Sequence, residues 1–494
     1  MPAAPYLPFS FGPASLPLRA IGNMGLKFFN TLTRSVEEFT PLDPAGHKAG
    51  IYCCGPTVHD VAHIGNFRTF VFADLVRRYL QFKGYAVTHV MNITDVEDKI
   101  IRRVRESGIS LREYTGKYES AFLEDLQTLG CLRPHQMPRA TEHIGEIISL
   151  IERLIERGIA YKAADGSVYF SIEKHRGSGR QYGQLVKLNF DELRPGERVS
   201  NDEYAKESLA DFALWKARAP EDGEVFWPSP WGEGRPGWHI ECSAMSMKIL
   251  GPSFDIHLGG EDLIFPHHED EIAQSEGAGL QPPGERFVKY WLHGAHLMVE
   301  GKKMSKSLGN FFTLRDLLAK GFTGREIRYL LLTAHYRETF NFTLEGLTAA
   351  RTSLARLDEC LAKLRAVAGN ATAAADSGLA EGFSAALDDD LNVSAAWGIV
   401  FDWVRDANRL LTDNQFTAPL AAAALAAWQR IDSVFGIGEK ADAEVPAEIA
   451  ALLEQREAAR KARNFSRADA IRAELNAKGW TIEDTPKGPR LKRL

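Results

Sequence analysis

The chain has 494 residues, enough at roughly 150 residues per domain for about three domains with well-buried cores. Hydrophobic residues make up 45% and charged residues 25%, which excludes disordered and fibrous classes, and no apolar run approaches the about 18 residues of a membrane span, so no membrane partner is expected. The net charge is −6, yet residues 456–494 carry 11 Lys/Arg and 5 Asp/Glu, a local +6 that leaves −12 elsewhere; a basic end on an acidic body is the pattern of a chain whose one end meets a polyanion.

Residues 1–24 carry prolines at 2, 5, 8, 13 and 17 and no charge before Arg19. A secretory signal would need early positive charge and an unbroken apolar stretch, so the segment reads as a disordered extension ahead of a second candidate start at Met24. A transit peptide, suggested by the lack of acids before Glu37, fits the proline density less well. Residues 25–158 then form the first half of an α/β domain. Gly50 to Cys54 is β-rich, Asn66 to Phe82 has helical spacing, and Tyr85 to Ile93 is β-rich again. Strand, helix and strand within about 45 residues make a βαβ unit, hence a parallel sheet with ligands at its carboxyl edge. Helices are expected between Asp95 and Arg157.

Residues 159–231, rich in Gly, Pro and charge with short strands such as Ser167 to Ser171, read as an insertion. The second half of the α/β domain is assigned to 232–320, with a strand at Phe254 to Leu258. A helical region follows at 321–435, interrupted by an Ala/Gly/Ser-rich linker at Ala366 to Gly378, and a break at Gly436 to Pro446 opens the basic C-terminal region, 436–494. The five cysteines, Cys53, Cys54, Cys131, Cys242 and Cys360, are odd in number and scattered, which points to a reducing, cytoplasmic setting with thiols as ligands, catalysts or core filler.

Three segments carry chemistry. Cys54 to Asn66 links the first strand to its helix, and His63, Gly65 and Asn66 there set polar groups at a helix N-terminus, where free N–H groups attract phosphates. Taken alone, a histidine at that position is more often a cap. Gly301 to Asn310 contains Lys303 and Lys306 between glycines, a cationic loop suited to negative charge developing on a leaving pyrophosphate; in isolation it would be an exposed basic turn. His267 and Glu271, four apart, share a helical face, and with Cys54 and Cys242 they make one plausible Zn²⁺ set, against which His239, His257, His268 and Glu269 compete. On a strand, Cys53 and Cys54 point to opposite faces, so at most one joins a site. The run G-E-G-R-P-G at 232–237 matches a dinucleotide fingerprint literally, but neither a preceding strand nor a following helix is expected beside Pro236.

The combination H-I-G-N at 63–66 and K-M-S-K-S at 303–307 resembles the signatures of class I aminoacyl-tRNA synthetases. Tyr52 to Asp60, Asn92 to Asp95, Gly237 to Met245, Phe265 to His268, Ala468 to Arg472 and Ile482 to Pro486 narrow the resemblance to the cysteinyl branch, over nearly all of the chain after residue 25. That resemblance implies a Rossmann-type parallel-sheet catalytic domain, a helical bundle contacting the tRNA stem, and a small anticodon-binding region. It implies activation of L-cysteine with ATP, accompanied by Mg²⁺, to cysteinyl-adenylate and transfer to the terminal adenosine of tRNA(Cys) by a monomer. His63, Lys303 and Lys306 would be catalytic; His63, Gly65, Asn66 and Lys306 would bind ATP. Asn66 stands where the family often has His. The family's zinc ligands fall on Cys54, Cys242, His267 and Glu271, one ion per chain, which would bind the substrate thiolate in preference to serine's hydroxyl and make an editing domain unnecessary. Thr94, Trp238 and Asp262 match amino-acid contacts; Arg460, Lys461, Arg463, Arg467 and Arg472 are expected on phosphates, with Trp480 either stacking on a base or filling a small core.

Two rival readings fit the residues less well. A ligase joining activated cysteine to an amino-sugar has a similar catalytic domain but lacks the tRNA-reading end, against which residues 456–494 argue. A silent RNA-binding paralogue would have eroded signatures, whereas His63, Lys303 and Lys306 are in place.

Overall fold

The computed structural model describes residues 25–186, 211–305, 309–373, 378–438, 447–478, 480–485 and 488–493. Two compact units divide at residues 437/438.

In the first unit an antiparallel hairpin, β1 (Lys27–Asn30) and β2 (Ser35–Glu38), precedes β3 (Lys48–Cys53), α1 (Ile64–Phe82) and β4 (Ala86–Met91). The helices α2 (Asp98–Ser107), α3 (Leu111–Thr128) and α4 (Ile144–Glu156) follow. Next come β5 (Ala160–Lys162), β6 (Val168–Phe170), the short α5 (Ile172–Gly177), β7 (Phe212–Ala217) and β8 (Gly234–Pro236). After α6 (Trp238–Leu250), β9 (Phe254–Gly260), α7 (Glu269–Ala278) and β10 (Val288–Gly294) complete the central sheet. Its order is β10-β9-β3-β4, with every pairing parallel. A parallel sheet must be covered on both faces. Ile51, Cys53, Ile256 and Leu258 face α1 through Phe67, Phe70 and Val71, whereas Tyr52, Cys54, Val90 and Trp291 face α6 and α7 through Cys242, Met245 and Ile272. The alternation of a strand thus sends Cys53 and Cys54 to opposite sides.

The chain reverses its direction of travel between β3 and β9, which are neighbours, so a crevice opens beyond their carboxyl ends. At one edge, β5 to β8 form a separate antiparallel sheet on a core shared with α4 and α6. The G-E-G-R-P-G run supplies β8, and Gly237 then caps α6. Contrary to expectation, a strand lies within that run and a helix follows it. The strand is antiparallel, so the βαβ context that a dinucleotide fingerprint requires is still missing.

Beyond β10 come β11 (Leu297–Val299), β12 (Lys302–Lys303), α8 (Leu314–Ala319), α9 (Gly324–Leu331) and β13 (Phe340–Phe342). Strand β13 pairs parallel with β11, an element that the expectation of helix throughout this region missed. The helices α10 (Leu344–Ala368), α11 (Leu379–Asp388), α12 (Val393–Thr412) and α13 (Ala418–Phe435) pack on α1 and α9. Buried Arg328 ties them together, donating to Asp74 Oδ2 at 2.5 Å and to the Phe435 carbonyl at 2.6 Å. Burial pushes the Asp74 carboxyl up, but the Arg328 and Arg78 guanidiniums outweigh it and hold Asp74 below the usual carboxylate range. Removing one partner of such a pair costs about 3–5 kcal/mol.

The second unit contains α14 (Ala447–Lys461), α15 (Phe465–Ala477) and the antiparallel pair β14 (Trp480–Thr485) and β15 (Gly488–Arg493). Its core is Ile449, Leu452, Ile471, Leu475, Trp480 and Ile482.

Candidate active site

Every strand of the central sheet delivers chemistry from its carboxyl end. Cys54 follows β3, Thr94 follows β4, Asp262 and His267 follow β9, and Lys303 lies beyond β10, on β12. The bend after β3 depends on Gly55: a Cβ there would sit 1.7 Å from the Asn92 carbonyl oxygen, so only glycine fits. The Gly55 N–H donates to Asn92 Oδ1 at 2.8 Å, which pins the segment carrying Cys54 against the segment carrying Thr94.

Cys54, Cys242, His267 and Glu271 are buried together, with one donor atom from each lying within 4.8 Å of all the others. Cys54 Sγ is 3.9 Å from Cys242 Sγ, 3.5 Å from His267 Nε2 and 3.8 Å from Glu271 Oε1, and His267 Nε2 is 3.1 Å from Glu271 Oε1. A tetrahedral ion with bonds of about 2.3 Å to sulfur and about 2.0–2.1 Å to nitrogen or oxygen holds its ligands about 3.3–3.8 Å apart. The donor set therefore fits Zn²⁺ in both spacing and chemistry.

Of the competing ligands, Glu269 is withdrawn, because its carboxylate accepts the N–H groups of Gly183, Gln184 and Leu185 at 2.7–2.8 Å. His239 stands behind the site, its Nδ1 2.9 Å from His267 Nδ1, leaving Nε2 of His267 to the cluster. His257 Nε2 lies 3.0 Å from Glu271 Oε2, and His268, 3.4 Å from Cys54, is held by His293 at 2.7 Å. Cys54, His257, His268 and Glu271 form a second converging group, but with one sulfur in place of two it is the harder, less zinc-like set.

The electrostatics suit a dication. The Cys54 thiol donates to Cys242 and holds that thiol down, while burial and the facing Cys242 push Cys54 up. Burial opposes charge on His267 and on Glu271, but their mutual hydrogen bond, with Cys242 beside the ring and His257 beside the carboxylate, raises His267 to about 10 and lowers Glu271 to about 2. A metal ion would replace the protons on His267 and Cys54.

Around this corner, Trp238 stacks on His267 at 4.5 Å and is 37% exposed, so it walls the crevice instead of filling a core. Thr94 is buried and accepts from Asn92 Nδ2 at 3.2 Å. Exposed Asp262 sits in the turn after β9, its Oδ1 beside Gly260.

The groups at the start of α1 are more exposed. His63 is the N-cap of α1, where its Nδ1 accepts from the Asn66 N–H at 3.3 Å and its own N–H donates to Asn66 Oδ1 at 3.1 Å. Asn66 thus makes a capping box, a local role that the expectation of ATP binding did not include. Gly65 faces the Lys303 loop: a Cβ on it would lie 3.2 Å from Met304 Cε, which brings the two signature segments together. Lys303 is exposed on β12. Lys306 lies outside the described residues. Sequence reasoning gave no role to Asn310, which organises this loop by donating to the Val299 and Lys303 carbonyls at 3.1 and 3.2 Å and accepting from the Ser305 N–H at 2.9 Å.

In the second unit Arg460, Lys461, Arg463, Arg467 and Arg472 are exposed along α14, α15 and their turn. Trp480 is 6% exposed and belongs to the core, which settles its two readings against stacking. The available aromatic is Phe465, 63% exposed at the start of α15 among those cations.

Residues 40–352 match the family model for the tRNA synthetases class I (C) catalytic domain, 382–438 the DALR domain, and 442–489 the cysteinyl-tRNA ligase anticodon binding domain. Cysteine–tRNA ligase of Chlamydia muridarum is 48% identical, covering 95% of this chain and 100% of the relative, and that of Protochlamydia amoebophila is 44% identical, covering 96% and 99%. Among solved structures, Mycobacterium tuberculosis methionyl-tRNA synthetase in complex with methionyl-adenylate aligns with a TM-score of 0.57 at 15% identity, over 82% of this chain and 94% of that one. A putative arginyl-tRNA synthetase from Campylobacter jejuni aligns at 0.55 and 13% identity, over 80% and 94%. At such identities the two structures speak for the fold alone.

Proposed function

The chain belongs to the cysteine–tRNA ligases, within the class I aminoacyl-tRNA synthetases, and from that premise we propose that it activates L-cysteine with ATP to cysteinyl-adenylate and transfers it to the terminal adenosine of tRNA(Cys), with zinc selecting the substrate's sulfur. The observation that carries this reading is the convergence of Cys54, Cys242, His267 and Glu271 from three separate segments, with Cys54 at the start of the stretch that leads into the helix capped by His63. Zinc bound there supplies a position that prefers a soft thiolate to a hydroxyl.

The chain's own residues account for the rest. Trp238 and Thr94 flank the pocket, and His257 and His239 fix the orientations of Glu271 and His267. His63 and the first N–H groups of α1 cradle the phosphates, with the capping box of Asn66 holding His63 in place. Lys303, and Lys306 beyond the described residues, stabilise charge on the departing pyrophosphate as the cysteine carboxylate attacks the α-phosphorus; positioning and charge carry the rate. Exposed Asp262, in the turn after β9, is the third amino-acid contact beside Trp238 and Thr94. Phe465 and the surrounding arginines take the anticodon end of the tRNA, where base stacking contributes about 1–3 kcal/mol. The enzyme acts as a cytoplasmic monomer with one zinc ion, and Mg²⁺ accompanies ATP. Among the described residues no helix is long and apolar enough to cross a membrane.

The test is cysteine-dependent ATP–pyrophosphate exchange followed by tRNA charging. Both activities are expected. Exchange without charging would indicate the amino-sugar ligase chemistry, and tRNA binding without either activity a silent paralogue.

A further inference from the structure

A buried acid that the proposed chemistry leaves unused lies beside the metal corner. Glu241 is on α6, one turn after Trp238 and next to Cys242, and the three share the side of the helix that faces the crevice. It is 1% exposed, and neither carboxylate oxygen has a hydrogen-bond partner. Asp95, the nearby buried acid, is satisfied by the Thr141 N–H at 3.0 Å and the Thr141 hydroxyl at 2.6 Å. The Thr94 hydroxyl faces Glu241. Because Asn92 already donates to the Thr94 oxygen, the Thr94 proton is left to point elsewhere. A buried carboxyl group without a partner is costly, and such groups are retained where a ligand completes them.

At neutral pH cysteine carries three recognisable groups: the sulfur, a carboxylate, and an α-ammonium. The metal corner accounts for the first, and the carboxylate must face the nucleotide. We propose that Glu241 receives the α-ammonium of the substrate, with Thr94 beside it, so that cysteine is held at sulfur and nitrogen and its carboxylate is aimed at the phosphate. This assignment rests on the reading of the site as a cysteine-activating pocket. It makes Glu241 a specificity residue for α-amino acids over other small thiols, while Cys242 on the adjoining position of the helix selects sulfur.

The experiment is calorimetric titration of the full-length, zinc-loaded protein with L-cysteine and with 3-mercaptopropionate, which keeps the thiol and carboxylate but has no ammonium. In Glu241→Gln, L-cysteine should bind about 10- to 100-fold more weakly, as expected for loss of a charged hydrogen bond, while 3-mercaptopropionate affinity and zinc content stay as in the parent. Glu241→Asp, which keeps the charge but withdraws it by one methylene, should lose part of the preference for the amine and keep zinc. Equal weakening of both ligands, loss of zinc from either variant, or an unchanged preference for cysteine would overturn the assignment. A parent protein that bound neither zinc nor cysteine would instead sink the functional reading, and this assignment with it.

Discussion

The two ends of the crevice are built on opposite principles. At the metal corner, His267, His268 and Glu271 are almost wholly buried and each is braced by a second buried group. At the nucleotide edge, Lys303 stands on a two-residue strand, and His63 is held by a reciprocal cap at 3.1 and 3.3 Å. Discriminating sulfur from oxygen needs donors whose geometry cannot relax, whereas a phosphate site must admit ATP and release pyrophosphate. On the proposed reading, rigid burial at one end and exposed charge at the other divide selectivity from catalysis.

That division can be broken by mutation, and the largest effect is expected at the metal. Cys242→Ala should lose zinc and lower cysteine-dependent exchange by more than the roughly 100-fold that outer-sphere changes cost, while ATP binding measured by calorimetry persists. Stoichiometric zinc in that variant would remove Cys242 from the ligand set. His63→Ala should do the converse, lowering the exchange rate about 10²–10³-fold, the scale for removing one preorganised electrostatic group, with zinc and cysteine affinity intact. Loss of zinc there would show that the two ends are not separable.

A smaller effect sharpens the contrast. His257→Ala leaves all four ligands in place but frees Glu271 Oε2, and should weaken zinc about 10- to 100-fold in a competition with a chelator. An unchanged affinity would mean that the bracing histidines are ordinary core. The mildest change belongs to the second unit. Phe465→Ala should raise the KM for tRNA by about 10-fold, consistent with about 1–3 kcal/mol per stacked base, and leave pyrophosphate exchange untouched; an unaltered KM would discard Phe465 as a platform.

Much of this arrangement was legible from residues alone because local chemistry enforced it. The βαβ unit could be read since β3, α1 and β4 are strongly patterned, and strand alternation sent Cys53 and Cys54 apart. The metal quartet could not be read from spacing. Its members come from positions 54, 242, 267 and 271, and other histidines and Glu269 lie as close in sequence; family resemblance singled the quartet out, and hydrogen bonding explains what the others do. Strand β13 is three residues long and pairs with a distant segment, so it left no periodic signal. The fate of Trp480 turned on tertiary packing: Ile449, Leu452, Ile471 and Leu475 need a large partner, while Phe465, on the neighbouring turn, is left outside. Asn66 and Asn310 act through backbone groups a few residues away, partners that side-chain chemistry alone does not reveal.

The most direct measurement of the central claim is the cysteine-over-serine preference in pyrophosphate exchange, taken together with metal content before and after chelation. One zinc per chain, loss of cysteine-dependent exchange when it is stripped, and recovery on adding it back are the predicted results. Protein stripped of metal that still activates cysteine and still rejects serine would contradict it.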